Sequence, residues 1–467
     1  MTPATFYVRR QGGEKRMTQT YLPGSERGKY MRYDTAVILK RFYLCEKELV
    51  VGEAGWIPGI PYFDMKTLLP KILWEDAMTA NALRERVFEL RFPSRILEVG
   101  EDQQLIDLIQ RARSAPNALA FLSTLAHVFK PALLQAYQTY LRLADHIGDG
   151  PTYRFMNLAV EEKQRQIREI SLLLERESAR ADHADRVLAE QWTNEIQERL
   201  QAMGGIGLDA PVAEAEQKET ALGNQPAAAG ESAEALSHAI PFAPMEVPAR
   251  DGRFIHVRFY WPDNVDPSFP YGEGFRLQLR SAVSHLNEIW AVENAGHVLY
   301  SFAGELGWEF IYDAARWVYD ESRHCRMGYE RLRSWGFEEA ELPLGTYIYD
   351  SCKGQDPIYR LGMLFYFESK NIGKKLDRIK NFESMNDRTS QHDMDFDWAD
   401  ETIHTSYGKT WLSAALKKRG QDPDDYTEIK EMCESIVKRT VETATAEEIE
   451  KITEIANRMI AKGKAAQ

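Results

Sequence analysis

Residues 313–335 read DAARWVYDESRHCRMGYERLRSW. The stretch has no proline and a single glycine, Gly328, so it reads as an uninterrupted helix. Its apolar residues recur at helical spacing: Ala314, Trp317 and Val318, then Cys325, Gly328 and Leu332. Two polar residues interrupt that stripe. Glu321 and His324 stand three apart and share the inward face. A carboxylate and an imidazole in a core require hydrogen bonds, charge partners or a metal ion. The question passes to the neighbouring helices.

Those neighbours are legible on both sides. One helix is expected over about Phe275 to Ala303, and the quoted stretch extends to about Trp308–Trp335. A third follows over about Pro357 to Phe382 and a fourth over about Trp398 to Lys418. Asn386 to Met394 reads as a polar connection. Two helices close the chain, about Asp424 to Val441 and Ala446 to Lys462, the last opened by a capping box of Thr445 and Glu448. Upstream, RFIHVRFYW at 253–261 suggests a short strand or extended arm, with His256 a packing or surface residue.

The first half is helical too. Ile38, Leu39, Phe42, Cys45 and Leu49 mark one helix from Asp34, and the loop GWIPGIP at 55–61 ends it. Further helices are expected over Asp64–Leu90, Asn117–Asp149 and from Pro151, the last heavily charged and read as a solvated face. The fold class is all-α. Residues 1–33 read as an arm and 34–203 as a helical domain; 204–250, rich in Ala, Glu, Gly, Pro and Gln, read as a flexible linker, and 251–467 as a second domain.

The fourth helix repeats the chemistry of the second. Asp400-Glu401-Thr402-Ile403-His404 and Asp320-Glu321-Ser322-Arg323-His324 are both D-E-x-x-H. With ten histidines in 467 residues, composition alone yields about one E-x-x-H by chance. Context carries the weight instead. Both motifs lie on inward stripes, and the other two helices each place a glutamate on theirs: Glu293 after Val283, Leu286, Ile289 and Trp290, and Glu368 after Leu361, Leu364 and Phe365. Four acids buried without strong bases require cations, and two divalent metals supply them. The bland alternative is a polar core network without metal.

Residues from about Phe275 to Gly420 thus resemble the ferritin-like di-iron carboxylate superfamily, in the set and order Glu293, Glu321 with His324, Glu368, Glu401 with His404. The resemblance implies a four-helix bundle in the C-terminal half. It implies that Glu321 and Glu401 bridge two metals, Glu293 and His324 completing one and Glu368 and His404 the other. Asp320 and Asp400 would accept the ring N–H of the ligand histidines. The D-E-x-R-H form is similar to that of bacterial di-iron hydroxylases; Arg323 either closes this outer layer or makes a surface ion pair. The implied activity is dioxygen activation by two iron ions, Fe/Fe or Mn/Fe, to hydroxylate or oxygenate a small organic substrate. A separate electron donor or an electron-supplying substrate is then needed, as no flavin, NAD or iron–sulfur motif occurs. Two other readings stay open: metal handling or peroxide detoxification, and a non-enzymatic scaffold with a relic site.

The first half carries an echo. Glu46 or Glu48 precedes Glu75-Asp76, but Thr79 stands where histidine is expected. Glu161-Glu162-Lys163-Gln164-Arg165 lacks histidine as well, and Tyr137 or Tyr140 falls where a glutamate is expected. A duplicated bundle whose first copy lost its metal would read this way, as would a plain helical domain.

Composition bounds the partners. The chain is 44% hydrophobic and 28% charged, with net charge −13, which disfavours nucleic acid and anionic membranes. No apolar run of membrane-spanning length and no secretory h-region is evident, and four scattered cysteines offer no disulfide framework, so a cytoplasmic protein is expected. A homodimer is left open.

Overall fold

The computed structural model describes residues 27–208 and 242–465. Within them the chain is mostly helical. Helices α1 (Arg32–Trp56) and α2 (Phe63–Glu89) form a hairpin across the Ile57–Gly59 turn, where Pro58 and Gly59 stop helix propagation. The short α3 (Gln103–Ala112), which the sequence reading lacked, packs on α1. Next, α4 (Ala118–Thr124) runs through a π-turn at Leu125–Phe129 into α5 (Lys130–Leu143). This continuous stretch, 118–143, is long and apolar enough to cross a membrane, contrary to the sequence reading, but 67% of its most apolar window is buried inside the protein. Helix α6 (Gly150–Ser178) packs on α5 and α2, and α7 (His183–Ala202) on α4.

The second half is helical as well. Helices α8 (Phe275–Leu286) and α9 (Ile289–Leu306) are one rod interrupted at Asn287 and Glu288. Gly307 alone, at φ +82°, separates α9 from α10 (Trp308–Ser334), a left-handed turn suited to glycine. After the five-residue α11 (Tyr347–Ser351) come α12 (Pro357–Ser384) and α13 (Arg388–Lys418), paired as a hairpin. Helix α13 starts ten residues earlier than expected and absorbs most of the predicted polar connection. Asp387 caps it by accepting from Ser390 N, and the segment holds no proline or glycine. Helices α14 (Thr427–Glu442) and α15 (Ala446–Ala465) brace α12 and α8, and the Thr445/Glu448 capping box is formed. The expected strand shrinks to two residues: β1 (Ile255–His256) pairs in parallel with β2 (Pro343–Leu344).

The two halves share an interface, α1 on α9 and α2 on α10. The backbones approach closely at Gly296, where a Cβ would lie 2.7 Å from the Ala54 carbonyl oxygen. The end of the expected linker is part of this interface. Phe242 stacks on Trp56 at 5.5 Å and accepts a hydrogen bond from Tyr300 Oη at its carbonyl, and Ala249 N donates to Pro58 O. Residues 209–241 of that linker, and 1–26 of the arm, lie outside the described residues.

Candidate metal centre

Helix geometry alone places Glu321 with His324 on α10 and Glu401 with His404 on α13, three residues apart in each case. The two helices run antiparallel, so the pairs meet crosswise. His404 Nε2 lies 3.4 Å from Asp320 Oδ2, and His324 Nε2 lies 3.2 Å from Asp400 Oδ2. Each aspartate is the residue before a glutamate, and each serves the histidine of the opposite helix. A carboxylate on Nε2 holds the proton there and leaves Nδ1 as the lone-pair nitrogen. Arg323 Nη1 joins the aspartates, 2.7 Å from Asp320 and 2.9 Å from Asp400, and Arg316 Nε adds a 2.7 Å contact to Asp320.

Both Nδ1 atoms face carboxylates. His404 Nδ1 lies 3.2 Å from Glu321 Oε1, 3.8 Å from Glu368 Oε1 and 3.9 Å from Glu401 Oε2. His324 Nδ1 lies 3.4 Å from Glu288 Oε2, 3.6 Å from Glu321 Oε2, 3.4 Å from Asp397 Oδ1 and 4.0 Å from Glu401 Oε1. Glu321 and Glu401 therefore each present one oxygen to each imidazole. Ligands about 2.1 Å from a common ion stand roughly 3.0–3.4 Å apart, the scale of the shorter separations. A four-atom neighbourhood around His404 Nδ1 and a five-atom one around His324 Nδ1 result, sharing two carboxylates.

The chemistry of these atoms is unsatisfied by protein alone. Both Nδ1 atoms, Glu288 Oε2, Glu368 Oε2 and Glu401 Oε2 are buried with no hydrogen-bond partner. Burial and repulsion from Glu401 and Glu321 push the Glu368 carboxyl well above its usual range. Burial takes Glu401 to about 7, with Glu321 and Asp397 adding repulsion against the pull of Lys375. Glu321 moves the other way: burial raises it, but the two imidazoles outweigh burial and hold it low. Burial lowers His404, yet Asp320 and Glu321 carry it up to about 9.

Five carboxylates converge here, from Glu288, Glu321, Glu368, Asp397 and Glu401. Among the described ion pairs one ammonium answers them: Lys375 Nζ, 2.6 Å from Asp397 Oδ1 and 2.9 Å from Glu401 Oε1. Four negative charges remain, which two divalent ions cancel. Asp320 and Asp400 are balanced separately by Arg316 and Arg323. The donor set thus fits two divalent metals, His324 with Glu288 and Asp397 on one side, His404 with Glu368 on the other.

The sequence reading differs from this set at one expected ligand. Glu293 does not reach the cluster. It is wholly buried at the interface between the halves, 2.5 Å from Lys66 Nζ and 3.0 Å from Arg250 Nη2. The break at Asn287–Glu288 is the reason, because it turns Glu288 inward, five residues before Glu293. Glu288, Asp397, Lys375 and Arg316 were missed. Asp397 was within reach, as it precedes Glu401 by one helical turn; Lys375 follows Glu368 by two. Trp317 was read as plain core, yet its Nε1 donates to Glu368 Oε1 at 2.9 Å and Glu321 Oε1 at 3.2 Å, and its ring stacks on His404. Of the tyrosines near the motifs, Tyr407 stacks on His404 at 6.5 Å, whereas Tyr300 and Tyr366 bond elsewhere. Cys325 is filler, its Sγ donating to Leu286 O.

The N-terminal half holds a matching cluster closed by lysines. Lys130 Nζ lies 2.6 Å from Asp76 and 2.9 Å from Glu53; Lys163 Nζ lies 2.8 Å from Glu46 and also contacts Asp76. Lys163 and Gln166 stand three apart as Glu401 and His404 do, and Lys130 precedes Lys163 by the 33 residues that separate Glu368 from Glu401. Gln166 Nε2 donates to Glu75, 3.1 Å away, as His404 faces Asp320. Lys130 therefore takes the place expected for Tyr137 or Tyr140, and Glu48 pairs with Arg113 outside the cluster. The charged segment on α6 is no solvated face at Lys163 and Gln166, which are buried.

A search of curated proteins and of solved structures finds no match. A family model described as "Protein of unknown function (DUF455)" matches residues 216–461, a span that contains every residue of the C-terminal cluster. That span exceeds half of the chain, which therefore belongs to the DUF455 family.

Proposed function

We propose that the C-terminal cluster is a dimetal carboxylate centre of ferritin-like type, and that the chain is a dioxygen-activating oxidoreductase, a hydroxylase or oxygenase of a small organic substrate. One observation carries this reading: two orphaned imidazole Nδ1 atoms, each ringed by carboxylate oxygens, with Glu321 and Glu401 offering one oxygen to each. Bound iron, as Fe/Fe or Mn/Fe, would supply the redox chemistry with dioxygen. The chain's own part is definable. Asp320 and Asp400 hold the Nε2 protons and aim the Nδ1 lone pairs inward. Trp317 fixes the Glu321 and Glu368 carboxylates through its indole N–H. Trp317 and Tyr407 also wall the site against water on the His404 side. Electrons would come from a separate donor protein or the substrate.

The contrast within the chain supports the reading. The N-terminal cluster neutralises three buried acids with two lysines, and we take it as the copy of a duplicated bundle that exchanged metals for ammonium groups. Lys375 favours a second reading, in which the C-terminal site is drifting the same way and is a scaffold relic. Anaerobic reconstitution with ferrous ion, followed by elemental analysis and oxygen-uptake measurement, separates them. About two iron ions per chain and oxygen consumption are expected. A chain that takes up no iron is the scaffold.

A further inference from the structure

A cavity of about 280 Å³ opens onto Glu288, Glu321, Glu368 and Glu401. The same cavity is lined by Arg280, Tyr271 and Arg378. Arg280, on α8, is only 7% exposed. Its Nε and Nη2 bind Asp263 at 2.7 and 3.0 Å, and its guanidinium lies 5.5 Å from the Tyr260 ring centre and 5.2 Å from that of Tyr271. The third nitrogen, Nη1, is buried and has no partner, and neither has Tyr271 Oη. The Arg378 guanidinium lies 5.2 Å from the Tyr271 ring centre. Two buried donors left unpaired cost free energy, more so when one is charged, unless a ligand answers them.

We propose that this cavity binds a small substrate with an oxyanion group and a planar, aromatic body. The oxyanion is received by Arg280 Nη1, Tyr271 Oη and Arg378. The body lies among the tyrosine rings, and an uncharged portion faces Glu321 and Glu368. Arg280 is pre-set for this role, since Asp263 and the two rings fix its plane before anything binds. The inference rests on the dimetal reading, because acids without their metals would repel an anion.

The test uses the full chain loaded with manganese(II), which needs no oxygen exclusion. Metal per chain is measured first. Calorimetric titration then compares benzenesulfonate, a poor metal ligand, with methyl phenyl sulfone, its neutral analogue. Benzenesulfonate is expected to bind at least tenfold more tightly. Arg280→Gln and Arg378→Gln are each expected to weaken it about tenfold or more while metal content stays unchanged. Arg378 is partly exposed, so its variant tests the site even if Arg280→Gln folds poorly. Equal binding of the two probes to metal-loaded protein, or benzenesulfonate binding unaltered in Arg378→Gln, overturns the anion site and leaves the dimetal reading intact. A wild-type chain that holds neither manganese nor, after anaerobic loading, ferrous ion overturns the dimetal reading and the anion site with it.

Discussion

Removing the metals is expected to make stability fall as pH rises, and restoring them to oppose that fall. In the metal-free chain, burial and neighbouring acids take Glu401 from 4.5 to about 7. Such a carboxyl binds its proton more tightly folded than unfolded. Its contribution is fully present below pH 4.5 and is lost as pH rises through about 7. The shift corresponds to about 3 kcal/mol. Glu368 is raised as well and adds to the loss. His404, carried to about 9, contributes stability below 6.5 that disappears toward 9, again with the same sign. Glu321 is held low, so its stabilisation is lost only in acid, outside this window. Metal ligation demands deprotonated ligands, so metal affinity rises with pH. With each free ion at a hundred times its Kd, two ions add about 5 kcal/mol. The assay is chemical denaturation of EDTA-stripped and manganese-loaded protein from pH 5.5 to 8. Glu53 of the N-terminal cluster, pushed to about 7 chiefly by burial, produces a similar decline in both preparations, so their difference isolates the C-terminal site. The gap between the two should widen with pH. Coincident curves at pH 7.5, or a gap that narrows from pH 5.5, refute the reasoning.

Ligand assignment is open to a paired test. Glu288→Gln should lower metal content by about one ion per chain, whereas Glu293→Gln should keep both and instead destabilise the fold by about 3 kcal/mol, since Lys66 and Arg250 lose their buried counter-charge; elemental analysis and denaturation read the two effects. Lys375→Met removes the one ammonium competing for Asp397 and Glu401, and should tighten manganese binding at least tenfold in a chelator competition; weaker binding would mean that the lysine supports the metals. Lys163→Met strips Glu46 and Asp76 of their shared cation and should cost about 3–5 kcal/mol in denaturation, with C-terminal metal content unchanged. Gly296→Val drives a side chain into the Ala54 carbonyl and should destabilise by about 1–3 kcal/mol, measured the same way.

The sequence by itself determined the helices and which residues share a face. An α-helix has a fixed phase, so Glu321 with His324, Glu401 with His404, and an aspartate before each glutamate follow from spacing alone. Glu368 was legible for the same reason. What spacing cannot carry is the rotation of one helix against another. Nothing local states that Asp320 serves His404 and not His324; the antiparallel register of α10 and α13 decides it. Nor does the α8–α9 stripe distinguish Glu288 from Glu293. A break of two residues resets the phase, sending one to the cluster and the other to Lys66 at the interface. Spacing does not mark Lys375, Lys130 or Lys163 as buried, because a long aliphatic stem lets an ammonium belong to either water or core. Only packing from several helices at once brings those ammonium groups onto buried acids, and that convergence is a property of the tertiary structure.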